Sequence, residues 1–509
     1  MALLTLAACS GGAASTTTSP VPSAGGPTAA ELRQDLFVFA SDSFGGRETG
    51  TPYADKAARW LAARLERIGL EPGGDSGYFA RVPMKRTKVV AGPLELSAAG
   101  TTTTLRQGRD LAFLAALGPG APLPKNSVDA ELAFVGYGIV DAKLKRDDYA
   151  GLNVAGKVVV IAGIAPPGLD AEQVKEVSKP DALFSRLGAA IGRGPAAVVL
   201  LLPDSVFAMA ASQFSSNQLE LDKGGLTPAK ARVLPMVAVG RLGSAMMPAG
   251  WPTASGAALA AGARLKASYS ETSEAFNGYN VVGIARGSDP ALRNSYVAFG
   301  AHYDHIGMGE AVKGDSINNG ADDDGSGTVT QLAIARAWMS GPRPKRSALF
   351  VWHIGEEKGL FGSETFTDKP TVPIDSIVAQ LNADMIGRNG DDSLYIVGPG
   401  AAPNGQSAVL GAMVDSVNTA TARPFTFDRE WDTTTHPERI YYRSDHYNYA
   451  RKGIPIVFFT TGLHPQYHQV TDEPALINYD KMARIGQLIY RTGLAVGNRT
   501  TRPKPSAVQ

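Results

Sequence analysis

Five side chains able to bind a metal ion, His302, Asp323, Glu357, Asp384 and His468, fall within 167 positions, and four of them follow closely on a short apolar, strand-like run. The runs are Tyr296 to Gly300, Ala348 to Ile354, Ser376 to Leu381 and Pro455 to Thr460. Residues that follow separate strands meet only if those strands lie side by side with their carboxyl ends together, and in open α/β sheets that end carries the ligand crevice. Helical patterns at Gly327 to Ser340, Gln406 to Ala420 and Tyr479 to Val496 alternate with the strands. The expected fold is therefore α/β, a mostly parallel mixed sheet with helices on both faces. All seven histidines, at 302, 305, 353, 436, 446, 464 and 468, lie after residue 301, so the chemistry is concentrated there.

The earlier part of the chain has a different texture. Ala54, Ala58, Leu61, Leu65 and Ile68 recur at four- and three-residue steps, which predicts an amphipathic helix stopped by Gly69. From about 127 to 245 the pattern is one of short β-rich runs, Ala130 to Tyr137, Lys157 to Ala162, Ala196 to Leu202 and Leu234 to Val239, with no histidine among them. The expected organisation is a signal and flexible linker over 1–30 and a first part of the catalytic domain over 31–90. An inserted region follows over 91–270, with its core at 127–245, then the main catalytic part over 271–500 and a tail over 501–509.

With 509 residues, 44% hydrophobic and 19% charged content and a net charge of +1, the chain has apolar material for more than one core and no broad electrostatic field. Nucleic-acid binding and adsorption to anionic membranes have no support. One cysteine, Cys9, excludes an intrachain disulfide framework and a thiolate zinc site. Leu6-Ala7-Ala8-Cys9, after an apolar run from Ala2, resembles the lipobox of bacterial lipoproteins, and residues 10 to 30, rich in Ser, Thr, Gly, Pro and Ala, read as the tether beyond it. The run is too short to span a bilayer. No Lys or Arg precedes it, so the start of the exported chain lies upstream or the likeness is accidental. The expectation is an exported protein of the cell envelope or periplasm, in contact with membrane only through lipid on Cys9.

Two histidines with several carboxylates and no thiolate suit zinc or an ion of similar softness. Asp323, in Gly320-Ala321-Asp322-Asp323-Asp324-Gly325, is the natural bridge, because a carboxylate spans two cations about 3.5 to 4 Å apart. A lone histidine or a Glu-Glu pair is more often an ordinary polar group or a solvated face. Order and flanks together turn that expectation round. His305, His353 and His464 are read as structural or pocket-lining. Ser444-Asp445-His446 is not a hydrolase triad, since adjacent residues on an extended chain point to opposite faces, and Gly283 to Gly287 has too few glycines for a nucleotide loop.

These segments resemble the co-catalytic di-zinc aminopeptidases of the bacterial leucyl aminopeptidase and aminopeptidase Y type, whose relatives include glutamate carboxypeptidase and glutaminyl cyclase. Ser41-Asp42 through Gly46-Arg47-Glu48 and Gly50-Thr51 is similar to the family's N-terminal segment. Phe134-Val135-Gly136-Tyr137-Gly138, Asp148-Tyr149-Ala150-Gly151-Leu152 and Gly156-Lys157-Val158-Val159 are similar to its inserted, β-rich protease-associated domain. The resemblance implies two Zn2+ per chain, one held by His302, Asp323 and Asp384, the other by Asp323, Glu357 and His468. It implies Glu356 as general base, Asp304 as a carboxylate that orients the His302 ring, Tyr467 as an oxyanion donor and a cis peptide at Asp323-Asp324. The implied function is hydrolysis of a peptide substrate at its N-terminus.

Alternatives stay open. A carboxypeptidase, dipeptidase or glutaminyl cyclase on the same scaffold, or a binding protein that has lost catalysis, fits the same fold. Arg443 and Arg388 are candidate partners for a substrate carboxylate, Asp428 and Glu430 for an ammonium group. The inserted module either restricts access to the cleft or is a passive spacer, and oligomeric state is left open.

Overall fold

A computed structural model of the chain describes residues 25–113, 126–204, 206–207, 218–223, 234–239, 242, 246 and 263–503; Cys9 and its flanks lie outside them. The chain divides into two compact units, one built from residues up to Val82 and from Asn277 onward, the other from Pro83–Phe276. No helix among the described residues is long and apolar enough to cross a membrane.

In the first unit four parallel strands, Ile456–Thr460, Ile377–Ala383, Tyr296–His302 and Ser347–His353, lie side by side in that order. Every residue in them is buried, as a sheet covered on both faces requires. Antiparallel strands flank them, Ser393–Val397 beside Ile456–Thr460 and residues 281–285 beside Ser347–His353. Alternation along Tyr296–His302 sends Tyr296 and Ala298 to one face, with Phe366 and Tyr449. Phe299 goes to the other, edge-on to Trp338 at 5.4 Å, which in turn meets Tyr490 at 6.2 Å. The covering helices are thus Phe361–Asp368 and His446–Ala450 on one face and Gly327–Ser340 and Tyr479–Asn498 on the other. The α/β arrangement read from the sequence is the one observed.

The helix expected over 52–69 is Pro52–Ile68, buried along Ala54, Ala58, Leu61 and Leu65 and ended by Gly69 at φ 81°. One expectation changes. Residues 25–30, read as the end of a tether, already belong to the folded unit: Thr28 caps the helix Ala29–Phe39 in a reciprocal box with Glu31, and Pro27 accepts a hydrogen bond from Gln487.

The second unit has its own parallel sheet of Ser127–Phe134, Val158–Ala162, Ala197–Leu202 and Leu234–Val239. Val158 and Val160 face one core, Val159 and Ile161 the other. Helices Ala171–Val177 and Pro180–Ile191, which the β-rich reading did not anticipate, join it. The Asp148 carboxylate accepts from the amides of Tyr137 and Ile139 at 3.1 and 3.0 Å, tying two of the segments singled out in the sequence.

Candidate metal centre

His302 is the last residue of its strand, Asp384 follows Ala383 directly, Glu356 and Glu357 stand three and four residues past His353, and His468 closes a loop after Thr460. All emerge at the carboxyl end of the sheet. Asp323 reaches the same place from the segment before helix Gly327–Ser340. That helix start is pressed against the sheet: a Cβ on Gly327 would lie 2.2 Å from the Ala383 carbonyl oxygen. Only glycine permits that approach. The Asp323-Asp324 peptide is cis.

The donor atoms form two groups that share Asp323, one with His302 and Asp384, the other with His305, Glu357 and His468. Asp323 Oδ1 is 3.2 Å from His302 Nε2, and Oδ2 is 3.1 Å from His468 Nε2. His302 Nε2 is also 3.5 Å from Asp384 Oδ1, and His468 Nε2 is 3.1 Å from Glu357 Oε2. The three neighbouring aspartates separate cleanly. Asp322 is taken by the Gly387 amide at 2.6 Å and His464 at 3.2 Å, and Asp324 by the amides of His302 and Gly327. Asp323 alone of the three has both oxygens turned to the two histidine groups, so the five predicted ligands converge.

His305 is the addition that sequence reasoning missed. Its Nδ1 lies 2.8 Å from Glu357 Oε1, and the ring is fully buried. The histidine three residues after His302 was the available signal, but nothing local says that it faces Glu357.

Electrostatics define the centre. Burial opposes charge on His302, yet the carboxylates of Asp384, Glu356 and Asp323 outweigh it and hold the imidazole well above the ordinary histidine range. His468 is likewise partly buried, and Asp323 and Glu357 push it up to about 10. Burial favours the neutral acid at Asp323, but His302, His468 and His305 hold it well below the usual carboxylate range. Glu357 is held at about 2 against burial and Asp323 by His305 and His468. Four acidic groups crowd a space that draws positive charge into it. Asp384 Oδ1 and His468 Nε2 are buried there without hydrogen-bond geometry to any neighbour. Imidazole and carboxylate donors without thiolate are the set that zinc accepts, so the residues fit the ion.

Glu356 is not in either group. Its Oε2 stands 3.9 Å from His302 Nε2, and burial, then the charges of Glu357 and Asp384, raise its carboxyl well above the usual range against the pull of His302. Asp304 differs in detail from the expected role. The His302 Nδ1 contact is to the Asp304 main-chain carbonyl at 3.1 Å, while the carboxylate is 3.8 Å away. That carboxylate instead accepts from Thr49 Oγ1 at 2.7 Å and from the Glu356 amide at 3.2 Å.

Further supports come from afar. Ser444 Oγ donates to Asp384 Oδ2 at 2.7 Å and is itself held by Asn382 at 2.9 Å. Asp472 accepts from the amides of Asp322 and Asp323 at 2.9 and 3.2 Å. Arg47, fully buried, donates to the carbonyls of Tyr303, Asn319 and Gly320, clamping the loops that carry His302 and Asp323.

Beside the centre is an open cleft of about 420 Å³, lined by Asp323, Glu356 and Asp384, by apolar Met385, Trp431, Ile440, Phe458 and Leu463, and by Arg443 and Tyr467. The Tyr467 ring stacks on His468 with centroids 3.9 Å apart. Of the other groups considered for substrate charges, Arg388 hydrogen-bonds to Gln466, and Asp428 and Glu430 are not among the lining residues.

Residues 280–493 match the profile of Peptidase family M28. The chain is 27% identical over 209 residues to a probable leucine aminopeptidase of Trichophyton verrucosum, an alignment covering 39% of this chain and 54% of that one. It is 29% identical over 188 residues to a probable leucine aminopeptidase 2 of Aspergillus oryzae, covering 36% and 34%. The chain thus spans about half or less of the length of these curated relatives. Among solved structures, the aminopeptidase from Aneurinibacillus sp. strain AM-1 superposes with a TM-score of 0.57 at 17% identity over 95% of this chain and 97% of that one. A zinc aminopeptidase from Bacillus subtilis gives 0.53 at 18% identity over 94% and 97%; both likenesses establish the fold.

Proposed function

We propose that the chain, whose residues 280–493 match the profile of Peptidase family M28, is a zinc-dependent exopeptidase, an aminopeptidase that removes N-terminal residues from peptides. The observation that carries the reading is Asp323, whose two oxygens face separate histidine-and-carboxylate groups, with Glu356 beside them. His302, Asp323 and Asp384 would hold one zinc and Asp323, Glu357 and His468 a second, with His305 behind Glu357. When bound, the ions supply Lewis acidity and an acidified water.

The protein's own groups do the rest. Glu356 takes a proton from the attacking water and returns it to the leaving amine. Its amide is tied to Asp304, which sets the carboxyl's position. Tyr467 accepts a hydrogen bond from Arg443 at 3.1 Å, which leaves its own O–H to donate to the oxygen that gains charge in the tetrahedral intermediate. The apolar wall of the cleft packs against the apolar parts of the substrate. The test is a panel of aminoacyl-nitroanilides, dipeptides and N-terminally blocked peptides, assayed with and without a zinc chelator. Chelator-sensitive cleavage that needs a free N-terminus supports the reading; activity indifferent to chelator, or confined to blocked peptides, contradicts it.

Export and lipid attachment at Cys9 belong to the same proposal and rest on the Leu6–Cys9 segment. Metabolic labelling with a palmitate analogue distinguishes wild type from Cys9→Ser if they are right; equal absence of label removes them.

A further inference from the structure

Among the described residues that line the cleft, Arg443 is the one Lys or Arg side chain. It stands close to the chemistry, since its Nη2 is 3.1 Å from the Tyr467 hydroxyl and the Tyr467 ring lies on His468. Its acidic neighbour is a weak claim on it: Glu438 lies 3.5 Å from Nη1, with side chains 37% and 51% exposed for Arg443 and Glu438. Exposed pairs of that kind contribute little. A guanidinium carries five N–H groups in a planar fork, so donors remain after both contacts. Beside it, Trp431 and Ile440 present apolar surface, which lowers the local dielectric and strengthens any ionic contact made there.

We infer that the cleft selects substrates that present a carboxylate to Arg443 within about one residue of the bond that is cut. Two sources supply that chemistry: the free C-terminus of a dipeptide, or the side chain of an acidic N-terminal residue. Both place a planar anion where the guanidinium fork meets it in two hydrogen bonds. The inference rests on the exopeptidase reading and gives that site a substrate class.

The test compares kcat/KM for two matched pairs on zinc-loaded protein: leucyl-glycine against leucyl-glycinamide, and glutamyl-nitroanilide against glutaminyl-nitroanilide. Wild type should favour the carboxylate member of at least one pair by about tenfold or more, the range of a charge-assisted contact. The pair that shows the preference identifies the source. In Arg443→Gln the ratio should fall towards one, and Arg443→Lys should keep part of it. Because each ratio is taken on a single preparation, a change in folded fraction does not move it. Equal cleavage within both pairs, or a preference that survives in Arg443→Gln, overturns the inference while the exopeptidase reading stands. Cleavage of none of the four overturns both.

Discussion

His302 Nδ1 lies 3.1 Å from the main-chain carbonyl oxygen of Asp304, closer than the Asp304 carboxylate at 3.8 Å. A proton on Nδ1 therefore has a fixed acceptor, and Nε2 keeps its lone pair for a metal. The carboxylate instead accepts from the amide of Glu356, the general base of the proposed reaction, and is anchored by Thr49. Asp304→Asn preserves the carbonyl but can no longer accept from both donors. It should retain its zinc and lose about tenfold in kcat, since the base is misplaced rather than removed. Metal analysis beside steady-state kinetics checks this, and loss of zinc would show that the carboxylate holds the ring.

Glu356 and Glu357 are adjacent, yet only Glu357 lies in a donor group with His468. Glu356→Gln should keep the full metal complement and lose at least about a hundredfold in kcat, the scale of lost general-base catalysis. Glu357→Ala should lose metal. An empty Glu356→Gln, or one that turns over at the wild-type rate, contradicts the assignment.

Ser444 donates to the oxygen of Asp384 that faces away from His302. Ser444→Ala frees that carboxylate to rotate, and zinc affinity should fall about 10- to 100-fold, as for other groups that orient metal ligands. Competition with a calibrated chelator measures it.

His446 is buried against Phe458, ring centroids 4.6 Å apart, and burial lowers its pKa to about 3. The unfolded chain binds the proton near the ordinary value of 6.5, the folded chain only near 3, so stability falls as pH drops through that window. Between pH 7 and pH 5 this residue should remove about 2 kcal/mol from the unfolding free energy. The stability difference between wild type and His446→Gln, measured by urea unfolding with chelator present throughout, should shrink by that amount at the lower pH. A difference that stays constant would place the proton elsewhere.

Four of the five ligands were legible because each follows a strand end, where chain position and chemistry coincide, and Asp323 because it lies in an aspartate run just before a helix. Arg47, Ser444 and His305 were not, since these partners lie 256, 60 and 52 residues or more away and no local spacing encodes them. The helix Ala29–Phe39 did have a signal, the Thr28-to-Glu31 capping box, but it follows a Ser-, Thr- and Pro-rich stretch whose composition reads as linker. Helices of the second unit were hidden by the strong β-branched runs on either side.

The shared position of Asp323 is the centre of the account, and a zinc count on Asp323→Ala tests it most directly. Wild type should bind two ions per chain and Asp384→Asn one, whereas Asp323→Ala should hold fewer than one, because both groups lose a donor. A full pair of ions in folded Asp323→Ala would contradict the account.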